Sequence, residues 1–145
     1  MAGVDERNKH GGIKRIQTGV FYIPRLNTDL FFVTLEKLES EYSPTTLYND
    51  YPMTPTLFHW ESQSGCRAET KTGRRHVACV RGADHHALLF VRERRHDARG
   101  ETMPYVLLGP VYYRSHQGGR PMEIEWELEL PMPARMFQEL KVAAG

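Results

Sequence analysis

A chain of 145 residues is the length of one domain, and 26% charged residues with a net charge of +1 describe a water-compatible chain with no overall field. No run approaches the ~20 consecutive apolar residues of a membrane span. Residues 1–18, polar and glycine-containing with no apolar signal core, read as a tail ahead of a single domain over 19–145. The two cysteines, Cys66 and Cys79, make neither a disulfide framework nor a C-x-x-C pair, so a reducing cytoplasm is the expected setting.

Gly19–Ile23 is a short strand candidate. Pro24, Asn27 and Asp29 mark a turn, and Leu30–Leu35, aromatic and β-branched, reads as a strong strand. Ser43–Ser64 then concentrates Tyr48, Tyr51, Phe58, His59 and Trp60 among three prolines and many small polar side chains. Ser43-Pro44 suits the opening of a short helical turn; Pro52 and Pro55 oppose a long helix. Leu57–Ser62 reads as a strand, with Phe58 and Trp60 on one face.

Beyond it the charge segregates. From Arg67 to Arg99 nine lysines and arginines stand against four acids, with four histidines among them. His76–Val80 reads as a strand, as does the apolar Ala87–Val91. Tyr105–Leu108 and Val111–Arg114 are strands interrupted at Gly109-Pro110, a bulge or corner. His116–Gly119 is a turn. Met122–Leu130 alternates, with Met122, Ile124, Trp126, Leu128 and Leu130 on one face and four glutamates on the other. A helix is expected from about Pro133, proline being suited to a first helical turn. The sum is an α+β fold, mainly antiparallel, a small curved sheet or barrel with short helices and a C-terminal helix. Without a βαβ rhythm, a parallel sheet is not expected.

Catalytic motifs are missing. The sequence has no Walker, H-E-x-x-H or G-x-S-x-G pattern and no zinc spacing. The alternating glutamates read as a solvated strand face. A binding module with no cofactor and no metal is therefore the expectation. A base reader needs flat walls, polar groups for a base edge and cations for phosphates. Tyr48, Tyr51 and Trp60 offer walls. Asn49, Asp50, Ser62, Gln63 and Ser64 offer edge contacts, and Arg67, Lys71, Arg74, Arg75 and His76 offer phosphate contacts. A second location for the pocket is Tyr112, Tyr113, Ser115 and His116.

Several blocks together resemble a known family. They are Thr28-Asp29-Leu30-Phe31-Phe32-Val33-Thr34-Leu35, Ser43-Pro44-Thr45-Thr46-Leu47-Tyr48-Asn49-Asp50-Tyr51 and Leu57-Phe58-His59-Trp60-Glu61-Ser62-Gln63-Ser64. Leu88-Leu89-Phe90-Val91-Arg92-Glu93, Leu108-Gly109-Pro110-Val111, Ser115-His116 and Arg120-Pro121-Met122 follow in order. The chain is similar to the domain of unknown function at the C-terminus of bacterial superfamily-two helicases and of some modification-dependent restriction enzymes. The resemblance implies a fold of the SET-and-RING-associated (SRA) or pseudouridine-synthase-and-archaeosine (PUA) type and a reader of 5-methylcytosine. The expected partner is double-stranded DNA carrying 5-methylcytosine, with base flipping into the pocket, at the nucleoid. A nuclease or helicase would be supplied by another protein. The alternatives are a helicase-associated adaptor for proteins and a reader of modified RNA.

Overall fold

The computed structural model describes residues 19–36, 49–63 and 65–145. The elements are β1 (Val20–Ile23), a 3-10 turn (Pro24–Leu26), β2 (Thr28–Thr34), β3 (Tyr51–Thr54), β4 (Leu57–Glu61) and α1 (Lys71–Val77). They continue with β5 (His86–Arg92), β6 (Val106–Gln117), β7 (Glu123–Leu128) and α2 (Ala134–Ala144). The expected 1–18 tail and the Ser43-Pro44 turn lie outside the described residues.

The strands form one sheet in the order β1-β2-β5-β6-β7-β4-β3. It ends at β1 on one side and β3 on the other, so the fold is an open α+β sheet rather than a closed barrel. Every pairing is antiparallel except β2 with β5, where Leu30 faces Leu88 and Val33 faces Val91 in parallel. The sheet is thus mainly antiparallel, as expected, with one parallel contact whose connection holds β3, β4 and α1 instead of one crossover helix.

The 12-residue β6 joins two half-sheets. Val106–Pro110 pairs with β5, and Val111–Gln117 pairs with β7. Between them sits Gly109 at φ 102°, a conformation that glycine adopts without a Cβ clash. The two short strands expected here are therefore one strand with an irregularity at its centre.

In β7 the alternation is realised: Ile124, Trp126 and Leu128 are buried, and Glu123, Glu125 and Glu127 occupy the opposite face. Leu130, expected on the buried side, lies past the strand and is 61% exposed. Register places Trp126 opposite Phe58 and Ile124 opposite Trp60, and these join Phe31, Leu89 and Val111 in the main core. Met132 and Leu140 carry the C-terminal helix onto the same core. The other face of β1 and β2 buries Phe21, Ile23 and Leu30 beside Phe32, Leu88 and Phe90. Burial on both faces accounts for the unbroken apolar run in β2.

Two elements differ from the sequence reading. β3 contains Pro52, which an edge strand tolerates because the missing N–H need not face a neighbour. The segment expected to be a strand at His76–Val80 begins in α1 instead. Thr70 caps that helix: its Oγ1 accepts the Gly73 N–H at 3.1 Å and donates to the Arg67 carbonyl at 2.7 Å. Gly73 and His76, three apart, turn inward together.

Gly73 is required by packing. A Cβ there would stand 1.9 Å from the Arg67 carbonyl oxygen. Alanine at an open helix position gains up to ~1 kcal/mol over glycine. Here Gly73→Ala is expected to destabilise by about 1–3 kcal/mol, the usual cost of overpacking. Equilibrium denaturant unfolding reads the sign; a stabilised variant would show that the approach of α1 to Arg67 is not fixed.

Candidate nucleic-acid interface

β4 sends Phe58 and Trp60 into the core and ends at Glu61. Ser62 then joins β4 to the start of β7. Its N–H donates to the Met122 carbonyl at 2.9 Å, and its Oγ accepts the Met122 N–H at 2.8 Å. The chain turns back through Cys66 N–H to Gln63 O at 2.9 Å, and Arg120 N–H donates to Cys66 O at 2.6 Å. These bonds lay Ser62 and the stretch 65–70 against the turn between β6 and β7.

An open pocket of about 420 Å³ lies between the two loops, lined by Arg67, Ala68, Glu69, His116, Gly118, Gly119 and Arg120. The loops approach closely: a Cβ on Gly119 would be 3.0 Å from Arg67 Cβ. Arg120 holds a left-handed φ of 59°, uncommon for a residue with a side chain. His116 is tethered from behind, its Nδ1 2.7 Å from the Tyr113 hydroxyl. Lys71 and Arg74 are exposed on α1, in the element that follows the pocket loop.

The described residues expected to form a base pocket lie along β3 and the end of β4, and none of them is on the lining of this pocket. Tyr48 and Ser64 lie outside the described residues. Asn49, Asp50 and Tyr51 sit at the β3–β4 edge. Asn49 gives its carbonyl to His59 Nδ1 at 2.9 Å, Asp50 Oδ1 accepts the Glu61 N–H at 2.9 Å, and Tyr51 stacks on His59 at 4.5 Å. That edge is acidic: Glu61 pairs in register with Glu123, and Glu123 lies 3.4 Å from His59 Nε2. Burial raises the Glu61 carboxyl above its ordinary range, offset in part by a backbone hydrogen bond from Asn49, with Asp50 and Glu123 adding to the rise.

Four of the expected contacts are corrected outright. Trp60, 4% exposed, is a core residue, as the shared face with Phe58 allowed, so its ring cannot wall an open pocket. The buried Ser62 spends its hydroxyl on Met122 and Gln63, and the buried Asp50 caps the β4 backbone. His76 is 0% exposed and reaches no phosphate.

Arg67, Lys71 and Arg74 are exposed, but Arg75 is half-buried and engaged. Its guanidinium donates to both oxygens of Asp29 at 3.3 Å and lies 4.0 Å above the Tyr22 ring. Asp29 is fully buried, and desolvation raises its carboxyl against the lowering effect of Arg75. Half-buried Gln63 leads into the pocket loop. Glu69, His116, Gly118, Gly119 and Arg120 were not among the expected contacts, save His116 in the alternative location. A Gly-Gly-Arg turn after a histidine was the available signal.

The His76 ring is enclosed by Phe31, Trp60 and Trp126, with centroids at 5.3, 5.3 and 6.2 Å, all edge-on. Neither ring nitrogen has a hydrogen-bond partner. Burial, with the Arg75 and His85 charges adding, lowers its pKa from 6.5 to about 3. Burial likewise pushes the Cys79 thiol up to about 12, so that thiol stays protonated. Among the described residues no group of His, Cys, Asp and Glu is arranged to hold a metal ion, and no helix is long and apolar enough to cross a membrane.

The chain matches the family described as "Domain of unknown function (DUF3427)" over residues 13–140. No curated protein matches it.

The caged histidine has a pH consequence. Between pH 6.5 and about 3 the unfolded chain binds a proton at His76 that the native state refuses. Stability is therefore complete above pH 6.5 and falls with acid across that window, by on the order of 4 kcal/mol from this group. Asp29, whose raised pKa favours the native state in acid, acts in the opposite sense. The comparison is thus between parent and His76→Phe: unfolding free energies from pH 7 to 4 should drop less steeply for the variant. Parallel curves would remove His76 from the account.

Proposed function

We propose that this chain, which belongs to the DUF3427 family of domains of unknown function, binds double-stranded DNA containing 5-methylcytosine. The observation that carries the reading is the pocket between the stretch 65–70 and the β6–β7 turn, with Arg67, Arg120 and His116 on its lining. Its volume falls within the ~300–1,000 Å³ typical of small-ligand sites. Lys71 and Arg74, exposed on the neighbouring helix, extend the cationic surface along a backbone. The acidic β3–β4 edge would repel the same polyanion, which favours the pocket side as the face that meets DNA.

The base identity rests on the resemblance to readers in modification-dependent restriction enzymes. Base flipping brings the modified ring into the pocket, and the exposed cations hold the phosphates on either side. The domain acts by binding, and a nuclease or helicase partner performs any cutting or translocation. Exposed Val106, Leu107 and Leu130, at 48%, 54% and 61%, lie toward the far end of β6 from the pocket and favour a protein-docking role as the second reading. The two roles use different surfaces and are compatible.

The test compares duplexes of identical sequence, with cytosine or 5-methylcytosine at one position, at several fixed salt concentrations. One buried methyl is worth about 0.8 kcal/mol, roughly a fourfold preference. Equal affinities at every salt concentration would refute the reading. Replacing Arg67 and Arg74 together by alanine should weaken both duplexes alike and flatten the salt dependence. Arg75 is left out of that pair, because removing it strands a buried Asp29 carboxylate, a loss of about 3–5 kcal/mol in folding.

A further inference from the structure

The β6–β7 turn is reached through an irregularity in β6. Side chains alternate along a regular strand, so residues three apart, such as Tyr113 and His116, face opposite sides of the sheet. Here the register with β7 slips between Tyr113 and Ser115, which leaves Arg114 as an extra residue. Tyr113 lies opposite Trp126 and His116 opposite Ile124, and both of those partners are fully buried in the core. The slip therefore brings the tyrosine and the histidine onto the same inner face. Ser115 turns outward and donates to Glu125 at 3.2 Å. Tyr113 packs against the main core, and its hydroxyl stands 2.7 Å from His116 Nδ1. His116 reaches the pocket lining beside Arg67 and Arg120.

The chemistry of that pair sets what His116 offers. The phenol hydroxyl donates to Nδ1 of the neutral ring, which leaves the ring's own hydrogen on Nε2. When the ring takes a second proton, Nδ1 donates and the phenolic oxygen accepts. Nε2 carries a hydrogen in both states. We infer that Tyr113 is a positioning residue for DNA binding, holding His116 with its Nε2–H as a donor to a phosphate oxygen of the nucleotide that enters the pocket. This rests on the DNA-binding function proposed above and adds to it the residue behind the contact. Arg67 and Arg120 also offer only donors, and the group on DNA that suits three donors together is a phosphate. Such a contact adds affinity and carries no information about the base. Tyr113 touches no ligand; it acts through His116, and the extra residue in β6 is what brings the two together.

The experiment is a double-mutant cycle. Affinities for duplexes with cytosine or 5-methylcytosine are measured at one salt concentration for the parent, Tyr113→Phe, His116→Gln and the pair. Phenylalanine keeps the ring in the core and removes the hydroxyl alone. Glutamine keeps an N–H donor and has no tautomer to be set. Tyr113→Phe should weaken both duplexes by about three- to tenfold, the net worth of one hydrogen bond. In the His116→Gln background the same change should alter affinity by less than about twofold, as expected when the interaction it served is already gone. Nitrogen-15 NMR of labelled histidine, with the His116 signal assigned by its loss in His116→Gln, should show the neutral parent ring with its hydrogen on Nε2 and a tautomer mixture in Tyr113→Phe. Thermal melting of the same samples checks the fold.

A Tyr113→Phe protein that melts normally and binds as tightly as the parent overturns the inference. So does an equal loss in both backgrounds, which makes Tyr113 a packing residue and nothing more. A neutral parent ring with its hydrogen on Nδ1 overturns it as well, and that spectrum decides the matter even where Tyr113→Phe fails to fold. A loss confined to the 5-methylcytosine duplex overturns the phosphate assignment. Equal affinity of the parent for the two duplexes overturns the base identity in the proposed function and leaves the Tyr113 result standing on its own measurement.

Discussion

The burial of the His76 imidazole holds the short helix α1 on the sheet, and the loops that form the pocket take their positions from that helix. Three edge-on contacts to Phe31, Trp60 and Trp126, each worth about 0.5–1.5 kcal/mol, oppose the ~1–3 kcal/mol cost of a buried polar group without a partner. One turn earlier Gly73 brings the helix against the Arg67 carbonyl, and Thr70 ties that carbonyl down. Arg67 and Glu69 are thereby fixed from the core outward. Arg75, between the two inward residues, anchors the same helix to the fully buried Asp29. A seven-residue helix has little stability of its own, so these tertiary ties decide where it lies.

Charge is sorted by face as well as along the chain. β7 and β4 present Glu123, Glu125, Glu127 and Glu61 on the side away from the core. Several are already paired within the fold, as in Arg81 with Glu127 at 3.0 Å and Ser115 with Glu125 at 3.2 Å. The free cations Arg67, Lys71 and Arg74 stand on the loop and helix that follow β4. A near-neutral protein with this arrangement carries a strong local field.

Period-two alternation made the β7 segment readable in the sequence, and turn residues bounded β1, β2 and β5, because those signals are local. The helix α1 was not readable as one, since its inward residues are a glycine and a histidine rather than the usual apolar pair. His76 looked like one more member of a basic run; only the three aromatic rings, brought from β2, β4 and β7, show it to be core. Trp60 could be read either way until its register with Ile124 was known. The exposure of Arg67 and Arg74 was legible from charge alone. The pocket was not, because Glu69 and Arg120 meet through a backbone bond between Cys66 and Arg120 that no sequence pattern announces.

The single parallel pairing in the sheet bears on how the chain reaches this state. β2 is complete at Thr34, but its inner neighbour β5 does not begin until His86. On a ribosome, β1 and β2 would emerge as an isolated two-stranded unit, which is marginal in water. The consecutive strands β5, β6 and β7 close shorter connections, so they can assemble early, whereas the β2 pairing must close the whole stretch between Thr34 and His86. The N-terminal hairpin is therefore among the last elements to dock, and the apolar surface of Phe31 and Val33 stays open to solvent or a chaperone until β5 has been made.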